Sequence, residues 1–235
     1  MSGYGQYCPL AKGAEVFAER WTPLILRELL RGTTSFNDVH RGVPRMSRSL
    51  LSTRLKKLEW CGVVERRSGS SGVEYRLTEA GVALGPVVAQ LGQWGQKWYR
   101  TTFDSNELDV GVLMWDMRCT VDPKRFPPKR TIVQFRFPEA ARSQRDWWLV
   151  NENDEVDFCP TDPGTETDLL VVTSVKTLTR IWMGDLEFEI ALRSSDIQLS
   201  GPPDLKRRFG PWLCRSPYAH IESARVGSRR PRPTI

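Results

Sequence analysis

The chain has 235 residues with 34 Lys+Arg against 28 Asp+Glu, a formal net charge of +6; this length suits one large domain or two ordinary ones, and two are expected. The basic excess is confined to one part: residues 1–103 carry 15 Lys+Arg against 8 Asp+Glu, whereas residues 104–235 carry 19 against 20. Five widely spaced cysteines without a CxxC pair argue against a disulfide framework or a zinc site. No apolar window approaches the roughly 18 residues of a membrane span, and MSGYGQYCPLAKG lacks a signal-peptide core, so a soluble cytoplasmic chain with no membrane partner is expected.

Residues 9–31 read as helical, with Leu10, Ala14, Phe17 and Ala18 on one stripe and Trp21, Leu24, Ile25, Leu26, Leu29 and Leu30 following it. Pro23 sits where a first helical turn tolerates it, and Gly32 supplies a stop. Phe36 and Val39 provide the apolar side of a short helix, and Gly42 and Pro44 break the chain before a second helix that Ser47 can cap. Residues 35–58 therefore read helix, turn, helix.

In that second helix Leu50, Leu51, Leu55 and Leu58 are expected to be buried, while Ser49, Ser52, Thr53, Lys56 and Lys57 face outward. Hydroxyls and ammonium groups on an outward helical face suit the major groove of double-stranded DNA, where they reach base edges and phosphates. Arg54 falls beside the leucines and is expected in a structural ion pair or a backbone contact. Arg45 and Arg48, at the helix entrance, suit phosphates because helix N-termini favour anions.

After Gly62 the period becomes alternating: VVERR, the tip SGSSG, then VEYRL, a hairpin with Arg66 and Arg67 at its base and Ser70 at its tip. A helix-turn-helix followed by such a hairpin is a winged helix; the bland alternative is any exposed hairpin. Thr78 opens a further helix that Gly85-Pro86 interrupts, and Val87, Val88, Leu91, Trp94, Trp98 and Phe103 then form an apolar stripe. A partner subunit is its favoured cover, packing within the chain the alternative.

The run YCPLAKGAEVFAERWTPLILRELLRGTTSFNDVHRGVPRMSRSLLSTRLKKLEWCGVVERR, with VEYRLTEAGVAL and LGQWG behind it, resembles the HxlR group of winged-helix transcriptional regulators, relatives of the MarR regulators. The resemblance implies a homodimer, a recognition helix over 47–60, a wing over 66–75 and terminal helices that build the dimer interface. It also places Cys8 at the position of a cysteine that senses oxidants or electrophiles in some members; the alternative is an ordinary free thiol.

In the second part, 104–109 is polar and reads as a linker. A helix over 110–121 is followed by a strand over 131–137 and a hairpin of 146–150 with 156–159 around NEND. The carboxylates there lack the spacing of a calcium loop. A strand over 168–173, a helical stretch over 175–192 around Gly184, a strand over 197–199 and a helix over 203–213 complete an α+β domain. Adjacent Trp147 and Trp148 must point to opposite faces of their strand. TLTRIWMGD and the order of strand and helix after it resemble the sterol-carrier-protein type of α+β domain. The departure is SSDIQL after the ALR helix, where a glycine is usual. That resemblance implies an apolar cavity for a lipid-like or aromatic effector, and Trp115, Phe135, Trp147, Trp182 and Trp212 are its candidate lining; a filled core is the alternative.

The expected organisation is an α+β chain: a winged helix-turn-helix domain with dimerisation helices over 1–104, a sterol-carrier-like domain over 105–225 and a disordered basic tail over 226–235. No phosphate loop, dinucleotide fingerprint, nucleophile elbow or HExxH pair occurs, and His40 and His220 are the only histidines, so neither catalysis nor a metal or cofactor is expected. His40 is expected at the surface or toward phosphate. The expected function is a homodimeric, sequence-specific repressor: Arg45, Arg48, Lys56, Arg66 and Arg67 neutralise phosphates, Ser49, Ser52 and Thr53 read bases, and an apolar effector alters the spacing of the recognition helices. The alternatives are an apolar-ligand carrier that dimerises through the winged helix, and a thiol-based redox regulator acting through Cys8.

Overall fold

The structure, a computed structural model, describes residues 3–69, 72–99, 103, 108–127, 129–153 and 155–224. The chain divides into two compact units, 1–92 and 93–235. The expected basic tail over 226–235 and most of the polar stretch 104–109 lie outside the described residues.

The helical pattern of 9–31 is cut by Trp21, whose φ of +78° is left-handed. The result is two helices, α1 (Pro9–Phe17) and α2 (Thr22–Leu30), each opening on a proline in its first turn. Helix α3 (Phe36–Gly42) is capped by Ser35, whose Oγ accepts from Asp38 N at 3.1 Å, and α4 (Arg48–Trp60) by Ser47, whose Oγ accepts from Leu50 N at 3.3 Å. Strands β1 (Val64–Gly69) and β2 (Gly72–Leu77) pair antiparallel. Helices α5 (Glu79–Val82), capped by Thr78, and α6 (Gly85–Trp94) follow, the latter running into a π-helical turn, Gly95–Tyr99. Ile25, Leu26 and Leu29 of α2, Val39 of α3, and Leu51, Leu55 and Leu58 of α4 make the core with Val63, Val64 and Val88. Leu50, expected in that core, is 37% exposed. The buried arc of α4 is centred on Leu51, Leu55 and Leu58, and Leu50 lies a full residue step, about 100°, outside it.

In the second unit Asp109 caps α7 (Val110–Arg118) by accepting from Val112 N at 3.0 Å. Strands β3 (Thr131–Arg136), β4 (Asp146–Glu152), β5 (Glu155–Cys159), β6 (Leu169–Thr173) and β7 (Ile197–Ser200) form one sheet in the order β5-β4-β3-β6-β7. All neighbours are antiparallel except β3 and β6, which run parallel. Helices α8 (Val175–Trp182), α9 (Phe188–Arg193) and α10 (Pro203–Trp212) complete the unit. Leu113, Met114 and Met117 of α7, Leu178 and Ile181 of α8, and Leu205 and Phe209 of α10 share a core with Val133, Phe135, Leu149, Leu169 and Val171 of the sheet. Trp147 sits opposite Phe135 and packs on this core, while Trp148, one step along, sits opposite Gln134 and is buried on the other face.

The turn after α9 falls within SSDIQL. Ser195 N donates to Leu192 O at 3.3 Å and Asp196 N to Ala191 O at 2.9 Å, the paired bonds of a Schellman stop, and Ser195 adopts φ +62°. A left-handed residue with a Cβ costs more than glycine there. Ser195→Gly is expected to stabilise the chain by about 0.5–1 kcal/mol after glycine's larger chain entropy is counted, read as a raised midpoint in urea unfolding. An unchanged or lowered midpoint would show that the serine side chain supports the turn.

Candidate nucleic-acid interface

Helices α3 and α4 are joined by a turn braced by local hydrogen bonds. Met46 N donates to Val43 O at 2.9 Å, Val43 and Met46 are buried, and a His40 ring nitrogen, Nε2, lies 2.9 Å from Met46 O. His40 was expected at the surface or toward phosphate; it braces the turn instead, because the Met46 carbonyl has no helical partner there. Arg48 Nη2 donates to Asn37 Oδ1 at 2.6 Å, and its guanidinium lies 5.0 Å over the Phe36 ring, so the entrance of α4 is tied to α3. Arg45, in the turn, is exposed.

On α4, Ser49, Thr53 and Lys56 are exposed and share one side with Trp60, opposite Leu51, Leu55 and Leu58. Thr53 Oγ1 donates to Ser49 O at 3.0 Å, which leaves its oxygen able to accept. Ser52 is half-buried at the margin, and Ser47 is engaged as the cap. Lys57 does not join this face as expected. It lies on the flank shared with Arg54, and both reach Glu19, in the link between α1 and α2. The structural ion pair expected of Arg54 is thus present, with Lys57 as a second cation on the same carboxylate.

The hairpin stands beside this helix pair. Its register sets Arg66 opposite Tyr75 and Arg67 opposite Glu74. Arg67 pairs with Glu65 at 2.7 Å and Arg76 with Glu74 at 2.8 Å, whereas Arg66 is exposed and has no ion-pair partner among the described residues. Ser70, at the tip, lies outside the described residues. Tyr75 N donates to Thr34 O at 2.8 Å, and a bridge of Ser35 with Glu74 adds the chain before α3 as a short third strand. Gly81 closes the base: a Cβ there would stand 2.2 Å from Val63 O, a backbone atom that cannot swing away.

Beneath α3 lies a group the sequence did not disclose as functional support. Glu28 is fully buried and accepts from Arg27 Nε at 2.8 Å and Arg31 Nη1 at 3.2 Å, while Arg27 Nη2 donates to Gly42 O at 3.2 Å. The available signal was an acid in the apolar run LILRELLR, three residues after Ile25 and flanked by arginines.

Cys8 is exposed immediately before α1, and all five cysteines are free. In the same segment Tyr4 N donates to Glu15 Oε1 at 2.9 Å; this bond, with Lys12 adding a nearby positive charge, holds the Glu15 carboxyl below its ordinary range. The five candidate effector aromatics are not gathered around one opening. Phe135 packs against Phe158 and Phe209, Trp212 stacks on Phe126 at 4.5 Å, Trp147 lies against the sheet core, and Trp115 is buried beside the Arg118 guanidinium. Trp182 alone of the five lines a cleft of about 320 Å³ with Met117, Leu178, Ile181, Phe188 and Leu213, and with Arg125, Glu187 and Arg215 at its polar side. Among the described residues no group of three or more His, Cys, Asp and Glu side chains is placed to hold a metal ion, and no helix is long and apolar enough to cross a membrane.

A capped, outward-facing helix with a basic hairpin beside it defines a winged helix-turn-helix. The HxlR-like helix-turn-helix family model matches residues 16–103. The chain is 34% identical over 102 residues to the uncharacterised HTH-type transcriptional regulator YvaP of Bacillus subtilis, an alignment covering 42% of this chain and 94% of that protein. It is 40% identical over 94 residues to the uncharacterised HTH-type transcriptional regulator Rv3095 of Mycobacterium tuberculosis, covering 38% of this chain and 58% of that one. Among solved structures, the reduced form of the transcriptional regulator YodB from B. subtilis is 31% identical, with 42% of this chain and all of that chain covered and a TM-score of 0.36. The chain belongs to the HxlR-like helix-turn-helix family.

Proposed function

We propose that this chain is a sequence-specific, DNA-binding transcriptional regulator that acts as a homodimeric repressor in the cytoplasm and performs no catalysis. The observation that carries the reading is α4, held by Leu51, Leu55 and Leu58 and presenting Ser49, Thr53 and Lys56 with the wing's Arg66 beside it. In this reading Lys56 and Arg66, with Arg45, Arg48 and Arg67, meet phosphates, and Ser49, Ser52 and Thr53 meet base edges. Dimerisation is supported by α6, where Val87, Leu91 and Trp94, at helical spacing, are each 46% exposed or more.

The reading extends to a sterol-carrier-like second domain with a small apolar effector. Its support is the order β6, α8, α9, β7, α10, with TLTRIWMGD spanning α8 and the turn after it, together with the cleft at Trp182. At about 320 Å³ that cleft is at the small end of ligand sites. Native mass spectrometry tests both extensions: a dimer bearing a discrete extra mass is expected, and a bare monomer would refute them.

The DNA-binding core of the proposal is tested by selecting duplexes from a random pool and measuring affinity against salt. Lys56→Ala is expected to weaken binding to all sequences alike and to reduce the slope of log affinity against log salt by about 0.9, one phosphate contact. An unchanged slope would remove Lys56 from the phosphate interface, and failure to enrich any sequence would leave only nonspecific binding.

A further inference from the structure

Helix α4 carries more positive charge than it shows. Arg54 and Lys57 lie on one flank and fold back against the α1–α2 link, with side chains only 18% and 16% exposed. Both pair with the carboxylate of Glu19, and Lys57 Nζ also donates to Glu15 O at 3.4 Å, so α1 and the link after it are fastened to α4 by these two cations. Lys56, one residue away, points out and has no ion-pair partner among the described residues. One carboxylate thus divides the cations of α4 into a withdrawn pair and an exposed remainder.

We propose that Glu19 is a positioning residue for DNA discrimination: by holding Arg54 and Lys57 it keeps two charges of α4 away from phosphate. The proposal rests on the DNA-binding reading and adds a role outside the helix-turn-helix itself. Two cations free to follow the phosphate backbone would add affinity on random DNA, where the protein can take any register, and less on the selected duplex, where base contacts already fix the register; phosphate contacts themselves carry no base information. Glu19 suppresses that gain, so its loss raises nonspecific binding and lowers the ratio of selected to random DNA.

The test compares the full-length wild type and Glu19→Gln on a random-sequence duplex and on the duplex selected by the wild type, across salt. Glu19→Gln is expected to steepen the random-duplex salt slope by about 0.9 for each cation released, up to about 1.8, roughly a tenfold larger loss of affinity between 50 and 200 mM salt. Discrimination is expected to fall at the same time. In an Arg54→Met/Lys57→Met background the Glu19 substitution should no longer change the slope. Lys57→Met alone, which leaves Glu19 paired with Arg54, is expected to leave the slope at its wild-type value, in contrast to Lys56→Ala; it serves as the independent readout if Glu19→Gln does not fold. A Glu19→Gln protein with a native circular dichroism spectrum and an unchanged slope would reduce Glu19 to a structural ion pair. A Lys57→Met slope lowered like that of Lys56→Ala would show that Lys57 was never withheld. Wild-type protein that binds no duplex would overturn the DNA-binding reading beneath the proposal, a result separable from the other two.

Discussion

Replacing Glu28 by alanine is expected to destabilise the N-terminal unit by about 2–4 kcal/mol, measured by urea unfolding followed by circular dichroism. The carboxylate is fully buried, and its removal leaves Arg27 and Arg31 without their shared acceptor. The full cost of breaking a buried pair, about 3–5 kcal/mol, is discounted because the two arginine side chains are 23% and 19% exposed and recover some hydration. The neighbouring Gly42 supplies a cross-check. A Cβ at Gly42 would stand 2.2 Å from Glu28 Cδ, and the carboxylate cannot retreat without giving up both arginines. Gly42→Ala is therefore expected to cost about 1–3 kcal/mol by overpacking. The double variant should cost less than the sum of the two, because alanine at position 28 vacates the space that alanine at position 42 needs. Strict additivity would show that α3 relieves the clash by moving rather than by displacing Glu28.

What could be read without the structure was local. Ser47 caps α4 and Ser35 caps α3 through bonds to residues three positions on, so both are legible as hydroxyls before apolar periodicity. Arg54 is separable from the outward residues by its angle on the helix, whereas Lys57, at the edge of the same flank, lies close enough to the outward face for the wheel alone to place it there. The partner both cations share could not be read at all. Glu19 lies 38 residues before Lys57, and nothing in the periodicity of either segment links them. His40 shows the same limit at shorter range, since its role depends on the path of the turn to Met46.

In the second unit the strands and helices were legible because alternation and apolar runs are local. The candidate cleft was not. Which aromatics meet is decided by the sheet order, with β6 crossing over to lie parallel beside β3, so Phe135, Trp147 and Trp212 became packing while only Trp182 reached the cleft. A count of aromatic side chains recognises a core and cannot distinguish its wall from its interior.

Ser49→Ala and Thr53→Ala are expected to act on DNA in a manner opposite to Lys56→Ala. Their hydroxyls lie on the exposed side of α4, bear no charge, and can meet only groups within hydrogen-bond reach. If Thr53 accepts from a base edge, its loss costs about 1–3 kcal/mol at a single position of the selected duplex, about 5- to 150-fold in affinity. The salt slope should be unchanged, because no counterion is released at an uncharged contact. Thr53→Ser, which keeps the hydroxyl and the bond to Ser49 O, should restore much of the affinity; methyl contact with a thymine would instead make Thr53→Ser as weak as Thr53→Ala. Repeating the duplex selection with each variant locates the position read, as the one at which preference relaxes. Relaxation everywhere, accompanied by a changed slope, would mean that the substitution had shifted α4 as a body, and the assignment of base reading to this stripe would fail.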